Sequence, residues 1–228
     1  MISGVNRDYG LRRSTTIVAM SIVSLVFLSA ISGVLLAFYY QPAAGEAYRS
    51  ISRIATDVNF GSIVYGVHHY AGNFTIVLGL VQMVLMFLSR QSCLSWTVSW
   101  TSGILLILAG IALAWTAMVL GWTQDGFWRL SVELGIIESI PVVGSTLREL
   151  LTGGGGINTD TLQRMYALHS YVLSVGAVAL SAVHLWGALR QDREEKQSLR
   201  DRRKAKVESE LDRIVRDLDR MEETIDRR

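Results

Sequence analysis

This chain of 228 residues has a single cysteine and few charged residues over most of its length. Cys93 is the only cysteine, so a disulfide within the chain, and with it a disulfide-stabilised scaffold, is excluded. The first 189 residues carry only 9 of the 22 basic and 8 of the 20 acidic side chains, far below the roughly 25% charged residues of an ordinary soluble domain. The formal net charge of +2 gives no case for nucleic acid binding.

The shortage of charge comes from four long stretches without Asp, Glu, Lys or Arg, at residues 17–40, 63–88, 103–122 and 166–189. A membrane-spanning helix needs about 20 mostly apolar residues, and each stretch provides them. A backbone in lipid has to satisfy its own hydrogen bonds, which favours helices over single strands. The sequence therefore predicts an all-α membrane protein with a four-helix transmembrane bundle.

Basic residues near the ends of the spans predict the orientation of the bundle. Arg7, Arg12 and Arg13 precede the first span, Arg90 lies between the second and third, and a basic tail follows the fourth. Positive residues favour the cytoplasmic side of a membrane. We therefore expect both termini to be cytoplasmic and the protein to be integral to the cytoplasmic (inner) membrane.

Residues 190–228 form a second region, set apart from the transmembrane domain of residues 1–189 by its high charge. Apolar residues recur there with the alternating spacing of four and three that is typical of a heptad seam: Val207, Leu211, Ile214, Leu218, Met221 and Ile225. The pattern predicts a cytoplasmic amphipathic or coiled-coil helix. It leaves open whether the seam binds a partner, a second copy of the chain or the membrane surface.

Histidines are the second informative feature, because all four in the chain, His68, His69, His169 and His184, fall within predicted spans. Ionisable residues inside a membrane are energetically expensive and are therefore candidates for a functional site. The simpler alternative for any one of them is a hydrogen bond between helices.

Two of these histidines are expected at the same depth. With both termini inside, the second and fourth spans run in the same direction, and His68 and His169 lie five and three residues from their outer ends. Two neutral imidazoles at one level could form the axial ligand pair of a haem iron, a group suited to electron transfer. Zinc fits less well, because no Cys, Asp or Glu lies nearby to complete its ligands.

His184 predicts a second haem site, near the inner face. It follows His169 by 15 residues, which is roughly 22 Å along a helix. At the corresponding positions of the second span stand Gln82 and Met83, 14 and 15 residues after His68. Methionine is an established haem ligand, whereas an amide oxygen is a weak one. The metal ligands expected from the residues are therefore His68, His169 and His184, and the ligand opposite His184 stays open.

Several sequence motifs resemble a known family. They are SGVLLAFYYQP (32–42), VHHYA (67–71), GWTQDGFW (121–128), IPVVGSTLRELL (140–151) and TLQRMYALHSYVL (161–173). From about Ser14 to Arg190 the chain resembles cytochrome b, and in particular the short cytochrome b6-type subunit of Rieske/cytochrome b (bc/b6f-like) complexes. The spacing of 15 between His169 and His184 is similar to that of the short type.

The resemblance implies an outer haem b at His68 and His169 and an inner one at His184 and position 82, where the family has His and this chain has Gln82. It also implies that Gly33 and Gly103 lie against the porphyrin faces, since glycine has no Cβ. Other positions depart from the family.

Ala19 and Ala117 replace two further glycines, and Tyr65 and His69 replace arginines. Ile17 replaces the cysteine that attaches an extra haem, so no covalent haem is expected.

The function implied by the resemblance is electron transfer within a quinol:electron-acceptor oxidoreductase, in which the chain is a non-autonomous subunit with no catalytic residue assigned to it. Expected partners are quinol, a Rieske iron-sulfur protein, a three-helix C-terminal cytochrome b-type subunit, and a c-type cytochrome or other acceptor, in a dimeric complex. The quinol pocket would include residues from Trp122, Phe127, Trp128, Ile140 and Val143.

Two alternatives remain open at this point. One is a divergent cytochrome b that serves another membrane redox complex. The other is a partly haem-depleted scaffold that docks partners through its C-terminal helix.

Overall fold

The computed structural model describes residues 2–88 and 94–226, and this part of the chain is helical with no strand. In chain order the helices are α1 Ile2–Ala37, α2 Ala47–Thr56, α3 Gly61–Leu88, α4 Leu94–Leu120, α5 Gln124–Glu138, α6 Gly144–Thr152, α7 Thr159–Ala167, a π-helical turn Leu168–Leu173, and α8 Ser174–Asp226. Arg90 and Cys93, and the side chains of Arg7, Arg12 and Ile225, lie outside the described part.

Four helical segments are long and apolar enough to cross a membrane: Arg13–Ala37, Gly61–Leu88, Leu94–Leu120 and a stretch within Thr159–Met221. The predicted four-helix transmembrane fold is confirmed. The third span begins earlier than its predicted start at residue 103, because serines do not interrupt the helix there. Ser102, for example, donates its hydroxyl proton to the carbonyl of Val98 at 2.7 Å, so its hydrogen-bond donor is satisfied within α4.

The bundle is held together by apolar packing between its helices. α1 packs along α3, α3 against α4, and α4 against α7 and the π-helical turn. Ile22, Val26, Leu106 and Ala177 form a buried cluster in which α1, α4 and α8 meet. Much of the remaining surface is also apolar. Helices that are hydrophobic on all sides are typical of a membrane span. The protein is therefore an integral membrane protein.

The connection between the first and second spans and that between the third and fourth contain short helices. α2 lies in the first, and α5, α6 and α7 lie in the second. A second buried cluster joins them to the end of α4, with Leu120, Leu130, Leu134 and Leu162 among its members. Caps fix the helix starts: Thr123 accepts a hydrogen bond from the backbone of Gly126 at the start of α5, and Asn158 caps α7.

Tyr40 links the end of α1 to this cluster. Its hydroxyl donates to the carbonyl of Leu120 at 2.9 Å. Burial raises the pKa of Tyr40 above its usual range, so the hydroxyl keeps the proton that this bond needs. The bond closes the bundle at the end where α4 gives way to α5.

The chain divides into two compact units, Met1–Ala188 and Leu189–Arg228. In the second unit the heptad positions Val207, Leu211, Ile214, Leu218 and Met221 are all more than half exposed. Side chains four residues apart form ion pairs along this helix, including Arg190 with Glu194 and Lys206 with Glu210. The described part of this helix thus has a charged face with ion pairs and an exposed apolar stripe.

Candidate functional site

His68 and His169 come together between α3 and the π-helical turn. Their imidazole ring centroids are 6.2 Å apart and the ring planes are inclined by 60°. Both side chains are partly buried within the bundle. The structure therefore places at one level the two histidines that the sequence assigns to the outer end of the second and fourth spans.

The ring of His68 is oriented by α1. Its Nδ1 lies 2.8 Å from the backbone carbonyl oxygen of Ser29, which can only accept, so Nδ1 carries the proton. Nε2 then holds the free lone pair. On the same side lies Gly33, where an added Cβ would be 2.9 Å from Cε1 of His68. The absence of a side chain at Gly33 is what permits this position of the ring.

The ring of His169 is oriented by α4. Its Nδ1 lies 2.8 Å from Oγ1 of Thr116, and this hydroxyl also lies 2.9 Å from the carbonyl of Ala112. Since the hydroxyl gives its one proton to its own helix, it accepts from Nδ1–H of His169. His169 therefore also keeps its Nε2 lone pair free.

His169 stands in the π-helical turn Leu168–Leu173. Such turns insert an extra residue into an α-helix and are frequent at functional sites. Next to it the hydroxyl of Ser174 donates a hydrogen bond to the backbone carbonyl of Ser170. This bond satisfies a carbonyl that the wider π-helical turn displaces. The extra residue changes the direction in which His169 projects relative to the residues of α8 that follow.

His184 forms a separate site deeper in the bundle and is 1% exposed. Its Nδ1 lies 2.8 Å from the carbonyl oxygen of Ser99 on α4, which again leaves the lone pair on Nε2. Gly103 lies against this ring, since a Cβ there would be 3.1 Å from Cε1. His184 is thus held in the same way as His68, by a serine carbonyl and a glycine.

Gln82 is the residue that faces His184 from α3. Its Nε2 lies 3.4 Å from Nε2 of His184, the residue is 1% exposed, and its Oε1 has no hydrogen-bond partner among the residues that the structure describes. Met83 lies beside the same site, with Sδ 3.4 Å from the position that a Cβ on Gly103 would take. Both residues that the sequence pairs with His184 therefore border the inner site.

The carbonyl partners belong to a repeat that the sequence analysis missed. The pattern Ser-x-x-Ser-Gly occurs at 29–33 in α1 and at 99–103 in α4. In both copies the second serine donates to the first serine's carbonyl, Ser32 to Ser29 at 3.0 Å and Ser102 to Ser99 at 3.1 Å. A search for short motifs around the two glycines would have found this repeat.

His69, although adjacent to His68, is not part of either site. It is exposed, its ring stacks on that of Tyr65 with centroids 6.3 Å apart, and its Nε2 lies 3.2 Å from the amide nitrogen of Asn73. The two residues that stand in place of family arginines thus contact each other on the surface of α3.

At the end of the bundle where α4 gives way to α5, aromatic residues form a ladder. The rings of Trp122 and Phe127 are 5.9 Å apart and those of Phe127 and Trp128 are 5.5 Å apart, both edge-on. Ile140 and Val143, in the connection between α5 and α6, are exposed. Ring contacts thus join the three aromatic residues into one cluster.

Three further side chains of this region were not foreseen. Trp115 of α4 donates its indole N–H to Glu133 of α5 at 2.5 Å, and Arg129 holds the other carboxylate oxygen at 2.9 Å. Trp115 and Arg129 also line an apolar groove of about 510 Å³ between α4 and α5. The ion pair of Arg129 with Glu133 has the i, i+4 spacing of a helix, but the bond from Trp115 joins different helices, so no sequence spacing predicts it.

The features described so far define an integral membrane protein whose four-helix bundle carries oriented, buried histidines at two levels. Residues 10–192 match the family model for cytochrome b/b6/petB, and the chain belongs to this family. Family membership implies b-type haem and a role in electron transport.

Individual relatives support the assignment. The chain is 32% identical over 153 residues to cytochrome b6 of Gracilaria tenuistipitata var. liui, covering 67% of this chain and 71% of that protein. It is 33% identical over 142 residues to cytochrome b6 of Acaryochloris marina (strain MBIC 11017), covering 62% of this chain and 66% of that protein.

The fold is also similar to a chain in a solved structure titled "Hyperthermophilic respiratory Complex III", with a TM-score of 0.64 and 21% identity. The match covers 77% of this chain but only 47% of that one. The chain therefore spans about half the length of its structural neighbour.

Proposed function

We propose that this chain is the electron-transfer subunit of a quinol:electron-acceptor oxidoreductase of the bc or b6f type, with a b-type haem held by His68 and His169. Electrons from quinol oxidised near the outer face would enter at this pair and move inward toward His184. The observation that carries the proposal is the separation of 6.2 Å between the His68 and His169 rings.

That separation fits a metal ion held between the two rings. Imidazole nitrogen binds a first-row transition metal at about 2 Å, so two imidazoles on opposite sides of one ion have ring centres roughly 6 Å apart. The free lone pairs on both Nε2 atoms supply the ligand atoms. Gly33, which lies against His68, supplies a surface without a Cβ for a flat porphyrin.

The hydrogen bonds that the three histidines donate from Nδ1–H strengthen them as metal ligands. A histidine that binds a metal through one ring nitrogen usually donates the other N–H to a carbonyl or a similar acceptor, which fixes its tautomer and its orientation. Ser29 provides this acceptor for His68, Thr116 for His169 and Ser99 for His184. The haem, when bound, supplies one-electron redox chemistry.

The outer end of the bundle would provide part of the quinol site. We assign its apolar wall to the aromatic ladder of Trp122, Phe127 and Trp128, and one side to the groove beside Trp115 and Arg129. A three-helix cytochrome b-type subunit would complete the site. A Rieske iron-sulfur protein would take one electron, and a c-type cytochrome or other acceptor would follow, in a dimeric complex. The name of the structural neighbour, a respiratory Complex III, supports this class of assembly.

The division of the chain follows from the same proposal. Residues 1–189 would form the haem-carrying domain, with both termini on the cytoplasmic side of the inner membrane. Residues 190–228 would form a cytoplasmic helix whose exposed heptad stripe binds another subunit. The near balance of charges on this helix gives little attraction to a membrane surface, which favours a protein partner over lipid.

The test is to purify the complex and to measure haem per chain and the reduced-minus-oxidised spectrum. A b-type haem that is lost when His68 or His169 is replaced by Ala supports the proposal, as does electron transfer from a quinol to an acceptor. Absence of any b-type haem would overturn it and would favour the scaffold alternative.

A further inference from the structure

The inner site is enclosed by protein, whereas the outer site is open. His184 and Gln82 are each 1% exposed. His68 and His169 are only partly buried. Open space therefore borders both rings of the outer pair, as entry of a flat group requires, and the inner pair lacks this property. The inference that follows rests on the proposed function, since it concerns how many haems this chain holds.

The distance between Gln82 and His184 does not fit a haem between them. Two nitrogen ligands on opposite sides of one metal ion are about 4 Å apart, at about 2 Å for each bond. Side chains that face each other across a macrocycle without binding the metal are about 7 Å apart, since each van der Waals contact takes about 3.5 Å. The Nε2 atoms of Gln82 and His184 are 3.4 Å apart. This separation is shorter than either arrangement needs.

A direct hydrogen bond occupies the lone pair of His184 that would bind a metal. Nδ1–H of this ring donates to the carbonyl of Ser99, so Nε2 is the accepting nitrogen. The amide of Gln82 donates its N–H to this nitrogen. His184 thus keeps the orientation of a haem ligand, but its ligand atom is bonded to a side chain of α3.

The helices around this pair pack closely. Ser99 of α4 and Met86 of α3 are fully buried, and the Ser99 hydroxyl lies 3.9 Å from the Met86 sulfur. An added Cβ at Gly187 of α8 would lie 3.0 Å from both Cβ and the backbone nitrogen of Ser99. The backbones of α4 and α8 therefore meet at this level, and the three helices close directly around Gln82 and His184.

We propose that the hydrogen bond between Gln82 and His184 takes the place of the inner haem, so that this chain holds a single b-type haem, at His68 and His169. A polar side chain that bonds across two helices stabilises their association inside a membrane. The amide of Gln82 gives α3 and α8 such a link at the position where the family has a second haem. Electrons that reach the outer haem then leave it by a route without a haem at His184.

The experiment counts b-type haem per chain in the purified complex from the pyridine haemochromogen spectrum, and adds a redox titration. The expected result is one b-type haem that titrates as a single one-electron component. His184→Gln removes the imidazole but keeps a side chain that can bond Gln82, and it should leave haem content and midpoint potential unchanged. Gln82→Leu should also leave the haem content at one. His169→Ala is the matched variant at the outer site and should lose the haem.

Two b-type haems per chain would overturn the inference and leave the proposed function standing. A single haem that survives in His169→Ala but is lost from His184→Gln would overturn both, since that haem would lie at the inner site. Absence of any b-type haem would overturn the proposed function itself.

Discussion

Gly33 lies directly against the imidazole of His68, so that a Cβ at this position would be 2.9 Å from Cε1. Real Cβ atoms almost never approach another atom so closely, and the neighbour here is a ring whose Nδ1 is bonded to the carbonyl of Ser29. The ring cannot move away without losing that bond. The contact thus links a glycine of α1 to the orientation of a proposed haem ligand on α3.

Replacing Gly33 with Val should therefore reduce occupancy of the outer haem, because the added side chain displaces the His68 ring and its Nε2 lone pair. Haem per chain and the reduced-minus-oxidised spectrum of the purified complex measure the effect. Gly66→Ala is the control, since Gly66 lies on the same helix as His68 and has no atom within 4 Å of an added Cβ. Equal haem content in the two variants would contradict the assignment of Gly33.

Thr116 offers a test of the bond that orients His169. Thr116→Val keeps the shape of the side chain but removes the hydroxyl that lies 2.8 Å from Nδ1. Loss of such a partner typically weakens metal binding by about 10–100-fold, so the outer haem should be lost more readily on titration with a competing apo-haem protein.

The control for this substitution is Thr75→Val. Thr75 is also buried, and within the described residues its hydroxyl donates to the carbonyl of Ala71 on its own helix, at 2.9 Å. It should leave haem affinity unchanged. Identical haem loss from both variants would show that the bond between Thr116 and His169 has no part in ligation.

Glu133 tests the proposed quinol side of the bundle. It joins Trp115 of α4 to Arg129 of α5, and a hydrogen bond to a charged group is worth about 1.5–3 kcal/mol. Glu133→Ala should loosen α5 and raise the KM for quinol by about tenfold, with haem content unchanged. Glu149→Ala, an exposed carboxylate on α6, should not alter KM. An unchanged KM for quinol in Glu133→Ala would show that Glu133 and its partners are not part of the quinol site.

The heptad stripe predicts a role in assembly that is separate from haem binding. Leu211 and Leu218 are more than half exposed on it, and replacing both with Asp should weaken a subunit contact without changing haem per chain. Ser209→Asp adds a charge on the opposite face and is the control. Copurification of subunits from detergent measures the contact. Loss of haem in the Leu211 and Leu218 variant would make the tail part of the haem-carrying fold.

The course of the chain could be predicted from the sequence because lipid imposes one strong rule, that long uncharged stretches become helices. The meeting of His68 and His169 followed from the number and direction of the spans. The bond from His68 to Ser29 did not, because it uses a backbone carbonyl, which every residue has. Only the repeated Ser-x-x-Ser-Gly pattern marks that carbonyl, and its meaning depends on which helix packs beside it.

The contact between Gln82 and His184 could likewise be predicted only in part. Sequence spacing placed Gln82 and Met83 equally well opposite His184. Side-chain packing separates them, since Gln82 faces Nε2 while Met83 lies on Gly103. Such a distinction depends on side-chain rotamers, which sequence spacing does not specify. The bridge between Trp115 and Glu133 was missed for the same reason.

The central claim is that His68 and His169 together hold one b-type haem, and haem content of the His169→Ala variant tests it most directly. The account predicts loss of the outer, low-spin haem from this variant. It predicts full retention in His69→Ala, whose ring lies on the exposed face of α3 with Tyr65. An unchanged haem content and spectrum in His169→Ala would contradict the account.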